Sequence, residues 1–244
     1  MTETGLPTSQ SAPAAAAPAN KPDIAANLRS LQERITRAAS SAGRNPAEVT
    51  LVAVSKTFSA DSVADAHQAG VRHFGENWVQ EAAEKIPALT NLSPRPTWHM
   101  VGHLQTNKVK AALELFDMIQ SVDSVSLGEA IARRAGNRRI PVLLEVNVAA
   151  EASKFGFRPE QLPDAVKTLQ ALPELEVRGL MTVAPLSDDS EKVRPVFRRL
   201  RVLRDDLGLR ELSMGMTDDF EVAIQEGATI VRVGRAIFGA RPQG

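Results

Sequence analysis

The chain has 244 residues, 43% hydrophobic and 24% charged, with lysine plus arginine at 29 and aspartate plus glutamate at 29. That length suits one large core or two modest ones. The balanced charge excludes both the strongly basic face that duplex nucleic acid requires and the polybasic cluster that holds a chain on an anionic membrane. The absence of cysteine excludes disulfides, thiolate metal sites and cysteine nucleophiles, and no apolar run approaches the roughly 20 residues of a membrane span, so a reducing, cytoplasmic, globular protein is expected.

Residues 1–20, rich in alanine, proline, serine and threonine, show no apolar period and are expected to form a disordered tail. The first arginine is Arg29, so the segment lacks the basic residues of a transit peptide. Residues 21–244 read as one ordered domain. Asp23 is a plausible N-cap for a helix whose apolar residues, Ile24, Leu28, Leu31 and Ile35, recur at helical spacing until Gly43. From residue 49 onward short β-branched runs alternate with amphipathic stretches. Strands are predicted at 49–55, 71–75, 97–102, 116–122, 140–148, 176–183, 211–215 and 229–234. Between the first two, Ser59 and Asp61 offer helix caps and Gly70 closes the turn. Strands alternating with helices imply parallel pairing with right-handed crossovers, and this many units can close a (β/α)8 TIM barrel. An open doubly wound sheet is the competing fold, but no GxGxxG follows the first strand.

In such a barrel the chemistry lies at the C-terminal strand ends. Those ends carry Lys56, then Glu76 and Asn77, then His99 to His103, Asn147, Met181 and Thr182, Ser213 and Gly215, and Arg232 with Gly234. There are no paired carboxylates of the glycosidase kind; the set suits an anion and a carbonyl. Lys56 alone reads more readily as a surface lysine just beyond a strand than as a partly desolvated amine able to form a Schiff base. The Ser213-Met214-Gly215 and Gly234-Arg235 segments shift the balance, because a hydroxyl and uncluttered backbone N–H groups suit a phosphate. Arg232 alternates with Val231 and Val233, so it points into the lumen if they point out; pairing with a carboxylate such as Glu145 is an equally good structural reading. His99 and His103 invite a metal, but Gly102 between them marks a strand exit and no HExxH is present. Trp78 and Trp98 are expected to pack near strand ends.

VAVSKT, HFGENWVQEAAEKI, WHMVGHLQTNK, SKFGF, RGLMTV, LSMGMTDDFEVAI and VRVGRAIFGAR together resemble the signature blocks of the pyridoxal-phosphate-binding homeostasis proteins, the YggS/PROSC family, over residues 24–241. The resemblance implies a single fold-type III barrel without the second, β-rich domain of alanine racemases. It implies pyridoxal 5′-phosphate (PLP) held as an internal aldimine on Lys56, with Asn77 beside the cofactor. It further implies that Ser213, Gly234 and the following residue hold the phosphate and that Arg232 faces the pyridine nitrogen. The family commonly has threonine or serine after that glycine. Here it is Arg235, whose backbone N–H remains and whose guanidinium is a second route to the phosphate.

An arginine at the ring nitrogen does not readily give up a proton, which weakens the electron sink that amino-acid chemistry uses. Alanine racemases share that arginine but also need a second base, a tyrosine, and this chain has no tyrosine. The expectation is therefore a PLP reservoir and carrier without robust amino-acid turnover, with PLP-requiring apoenzymes as the implied recipients. A monomer is expected because the dimer-forming domain is missing. Two alternatives stand beside it: a PLP-dependent racemase-like enzyme with His99 as second base, and a Schiff-base aldolase using Lys56 without a cofactor.

Overall fold

The computed structural model describes residues 22–151 and 154–240. The expected tail, residues 1–20, lies outside the described residues. Eight parallel strands close a barrel in sequence order: β1 (Thr50–Val54), β2 (His73–Glu76), β3 (Thr97–Met100), β4 (Met118–Val122), β5 (Ile140–Glu145), β6 (Leu175–Met181), β7 (Glu211–Ser213) and β8 (Ile230–Val233). Helix α1 (Ile24–Ser41) precedes them. The outer layer then follows as α2 (Ala60–Gln68), α3 (Val79–Lys85), α4 (Val109–Leu115), α5 (Val125–Ala135), α6 (Leu162–Gln170), α7 (Arg194–Asp206), α8 (Phe220–Gln225) and α9 (Arg235–Phe238). Every predicted strand is present. Most of those predicted too long, such as 97–102 and 140–148, overrun at their C-terminal ends, where the chain leaves the ladder for the loops of the barrel mouth.

Period-2 alternation sorts the strand residues. Ala53, Phe74, Trp98, Ile119, Leu180, Leu212 and Val231 belong to the large core between strands and helices. A smaller plug of Val52, Met118, Leu143, Met181 and Ile230 forms a separate cluster. Helix α1 begins where expected, with Asp23 accepting from the Ala26 N–H at 2.9 Å. It buries Ile24, Leu28, Leu31 and Ile35. Arg34 ties it to Glu221 of α8 through two hydrogen bonds of 2.9–3.0 Å, and Asn27 donates to the Ile237 carbonyl of α9 at 3.0 Å. The two short helices beside β8, the strand bearing Arg232, are thereby braced from outside. Closure runs through β1 and β8, with Ala53 level with Val233. Lys56 and the Gly234 turn consequently leave the barrel side by side.

Candidate functional site

Lys56 is half-buried, immediately beyond β1. The backbone beside it is held by a buried cluster. Ser55 donates its hydroxyl to Glu76 at 2.7 Å, and the Ser55 carbonyl accepts from Lys85 at 2.8 Å. Lys85 also reaches Glu76 and Glu81, each at 2.7 Å, and Glu81 accepts the Thr57 N–H at 2.6 Å. All three protons of the Lys85 ammonium thus have acceptors, two of them carboxylates, which commits this buried side chain to the cluster. Burial pushes the Glu76 carboxyl up, against the pull of Lys85 and Ser55. The Glu81–Lys85 spacing is an i,i+4 helix pair and was open to sequence reading; the convergence on Lys56 was not.

Arg232 is buried in the lumen. Its Nη1 donates to the Ser213 hydroxyl at 2.6 Å and its Nη2 to the Thr182 carbonyl at 2.8 Å. Burial lowers the guanidinium to about 10, while the charges of Glu145 and Asp219 oppose that shift, so it stays a cation near neutrality. Glu145 acts on it through space; among the described residues the two form no ion pair within contact distance. Ser213 passes its own proton to Gln120 Oε1 at 2.6 Å, and Gln120 Nε2 donates to His99 Nδ1 at 2.9 Å. The remaining His99 N–H then faces His73 Nδ1 at 3.1 Å. A one-directional hydrogen-bond chain therefore runs from Arg232 down the lumen to a cavity of about 530 Å³ at the N-terminal end, lined by His73, His99, Arg178 and Glu211 among others.

Two of the expected residues are engaged along this hydrogen-bond chain. The Ser213 hydroxyl donates to Gln120 and accepts from Arg232, and beyond it the Met214 N–H donates to the Ile230 carbonyl at 3.1 Å and the Met216 N–H to Asp219 at 2.6 Å. His99 lies toward the N-terminal end with both ring nitrogens engaged, and burial lowers its pKa to about 3. It is not a base at the C-terminal mouth. His103 goes elsewhere: it stands at the rim, 2.9 Å from Asp123 and stacked on Phe155 with ring centroids 3.8 Å apart. The described residues contain no group of three or more His, Asp or Glu able to hold a metal. Trp98 is buried as expected, whereas Trp78 is 50% exposed at the mouth.

Gly234 lies against β1. A Cβ there would meet the Val54 carbonyl oxygen at 2.9 Å, so only glycine lets the two backbones approach this closely. The Arg235 side chain pairs with the Asp218 carboxylate at 2.5–2.6 Å, tying the turn after β8 to the loop after β7. Asn77, half-buried past β2, is pressed by the loop after β3, where a Cβ at Gly102 would stand 2.4 Å from the Asn77 carbonyl oxygen. The C-terminal mouth thus brings together one half-buried lysine, one fixed buried cation and a glycine turn free of side-chain bulk. Lys85, Glu81, Gln120 and Asp218 are site residues that sequence reasoning missed. No described helix is long and apolar enough to cross a membrane.

Residues 26–242 match the family model of the alanine racemase N-terminal domain, which defines the class of barrel. A Pseudomonas aeruginosa protein named pyridoxal phosphate homeostasis protein is 46% identical over 225 residues, covering 91% of this chain and 97% of the relative. The structure of PipY from Synechococcus elongatus with PLP bound superposes with a TM-score of 0.78 at 39% identity, covering 89% of this chain and 100% of that one. The chain belongs to the family of pyridoxal phosphate homeostasis proteins. Alanine racemase from Corynebacterium glutamicum shares the fold at 19% identity and a TM-score of 0.66, over 91% of this chain and 62% of its own.

Proposed function

We propose that this protein binds pyridoxal 5′-phosphate at the C-terminal mouth and serves intracellular PLP homeostasis as a reservoir and carrier. The observation that carries the reading is the side-by-side exit of Lys56 and the Gly234 turn across the β1–β8 seam. When bound, the cofactor supplies an aldehyde that condenses with the Lys56 amine with loss of water, and a phosphate anion. Lys56 is the amine because Lys85, the other lysine of the cluster, has every proton engaged. Gly234 and the Arg235 backbone hold the phosphate, and Asn77 lies beside the ring. Arg232 faces the pyridine nitrogen, held from behind by Ser213 and Thr182.

A fixed cation at that nitrogen disfavours its protonation, and the chain has no tyrosine to act as a second base. Both features favour holding the cofactor over transforming amino acids. The engagement of His99 deep in the lumen speaks against the racemase-like alternative that uses it as second base. PLP-requiring apoenzymes are the recipients this reading implies, with the barrel acting as a monomer.

The test is the absorption spectrum of the purified protein before and after borohydride. Loss of a yellow chromophore with mass added at Lys56 supports the reading, and a colourless protein with a substrate-dependent Lys56 adduct supports the aldolase. Incubation with L- and D-amino acids in deuterated water then separates carrier from enzyme, since multiple-turnover α-deuteration overturns the carrier. Gly234→Val is expected to weaken cofactor retention about tenfold or more, the equivalent of one lost charge-assisted N–H contact to phosphate. Equilibrium dialysis checks it.

Glu145 gives a pH prediction. Burial, with Asp123 adding to it and Arg232 opposing, pushes its carboxyl up from 4.5 to about 7. A folded pKa above the unfolded one means that the native state holds the extra proton. The associated stability is complete below the unfolded pKa and is lost as pH rises through the folded one. Glu145→Gln is expected to match the parent near about pH 4 and to exceed it by on the order of 2 kcal/mol near about pH 8, as measured by urea unfolding.

A further inference from the structure

The cluster of Glu76, Glu81 and Lys85 plays no part in holding the cofactor as described above, yet it grips the chain on both sides of the lysine that does. On one side Ser55 is fixed three times: its hydroxyl to Glu76, its carbonyl to Lys85, and its N–H to the Gly75 carbonyl at 2.9 Å. On the other side Thr57 has a φ of 68°, a left-handed conformation that a β-branched residue adopts only when its surroundings impose it. Two bonds hold it there: the Phe58 N–H closes the turn onto the Ser55 carbonyl at 3.0 Å, and the Thr57 N–H donates to Glu81 at 2.6 Å.

We propose that Glu81, Lys85 and Glu76 are positioning residues that clamp the Lys56 backbone and so set what fraction of bound PLP is covalently joined to the Lys56 amine; this rests on the cofactor reading above. The physical reason is entropic. Joining a tethered amine to an aldehyde held nearby gains from proximity only in so far as the tether is already ordered. Lys56 sits on a turn, beyond the last ladder bond of β1, where the sheet itself no longer holds it. The Ser55–Phe58 turn bond supplies part of that order, and the cluster fixes the turn at both flanks of Lys56. As a stabilising device it is a poor choice, because Lys85 and Glu76 side chains at 6% and 0% exposure are desolvated at a cost that an apolar pair of the same volume avoids. Its one geometric output is a fixed pair of flanking residues. Glu81 is the member best suited to a test, being a quarter exposed on the first turn of α3 and the sole side chain bonded to the Thr57 N–H among the described residues.

The experiment compares Glu81→Ala and Glu81→Gln with the parent. Total bound PLP is measured by filtration, the covalently joined fraction by absorption and borohydride trapping, and melting temperature in parallel. Glu81→Ala is expected to lower the ratio of joined to unjoined cofactor roughly tenfold, the weight of one residue's lost backbone order. Glu81→Gln, whose amide oxygen can still accept from Thr57, is expected to keep most of it. A parent-like ratio in Glu81→Ala overturns the clamp, whether or not its melting temperature falls. Equal loss in both variants assigns the effect to the charge beside Lys85 and also overturns it. A parent protein without any joined cofactor at Lys56 overturns the functional reading instead, and so is told apart from failure of the clamp.

Discussion

Lys56→Ala is expected to remove the lysine-linked chromophore entirely while leaving the barrel folded. Completeness follows from the state of the neighbouring amines. Lys85 is saturated by Glu76, Glu81 and the Ser55 carbonyl. Lys154, on the loop after β5, is paired with Glu151 at 2.6 Å and donates to the Val183 carbonyl at 3.2 Å. Both side chains are committed to these partners. Folding survives because Lys56 is half-buried beyond the strand and the Ser55 and Thr57 bonds flanking it use backbone and other side chains. Phosphate contacts through the Gly234 turn do not involve the amine, so the variant is expected to bind PLP more weakly and reversibly, without covalent trapping. Absorption, filtration and peptide mass after borohydride check each part. A persistent chromophore with the reduced adduct on Lys85 or Lys154 would displace Lys56 from its role.

The barrel was legible because its signals are local. Each strand carries its own β-branched run, each helix its own period, and the caps at Asp23 and Ser59 fall where their side chains accept from Ala26 and Ser62. The mouth residues Lys56, Asn77, Arg232 and Gly234 were legible for the same reason: they sit at or just beyond strand ends, and strand ends can be read from a run of ten residues. The lumen was not legible. His99, Gln120, Ser213 and Arg232 meet through separations of 21, 93 and 19 residues along the chain. Their contact depends on the stagger of β3, β4, β7 and β8, which no single segment encodes. Ser213 shows the consequence: read as a strand-end hydroxyl it belongs to an anion cup, and only the barrel register turns it toward Gln120. Arg235 is a second case, since its partner Asp218 lies on the neighbouring loop, which the fold alone brings within reach. PLP itself was reached by family resemblance; strand period and charge pointed no further than an anion and a carbonyl.

Arg232→Leu is expected to destabilise the fold by about 3 kcal/mol, because it removes one side of a buried polar arrangement and leaves the other in place. Four groups lose their cation. Ser213 and the Thr182 carbonyl lose direct donors at 2.6 and 2.8 Å, and Glu145 and Asp219 lose the positive charge that offsets their burial. Both carboxyls already lie above their ordinary values through burial, and removal of the guanidinium moves them further up. By the sign argued for Glu145, the loss is then largest at alkaline pH and partly recovered on acidification, as the native state takes up protons on both groups. A double-mutant cycle isolates that component: with Glu145→Gln in the background, Arg232→Leu should cost less by about 1 kcal/mol near neutral pH, the size of coupling expected of neighbouring charges. Arg232→Lys is expected to behave more like leucine than like arginine, since a single ammonium cannot span Ser213 on β7 and the Thr182 carbonyl past β6 as the planar fork does. Urea unfolding at several pH values measures the parent and all four variants. A pH-independent loss, or additivity in the cycle, would mean that Arg232 holds the lumen through its hydrogen bonds alone and that its charge is not what keeps Glu145 in check.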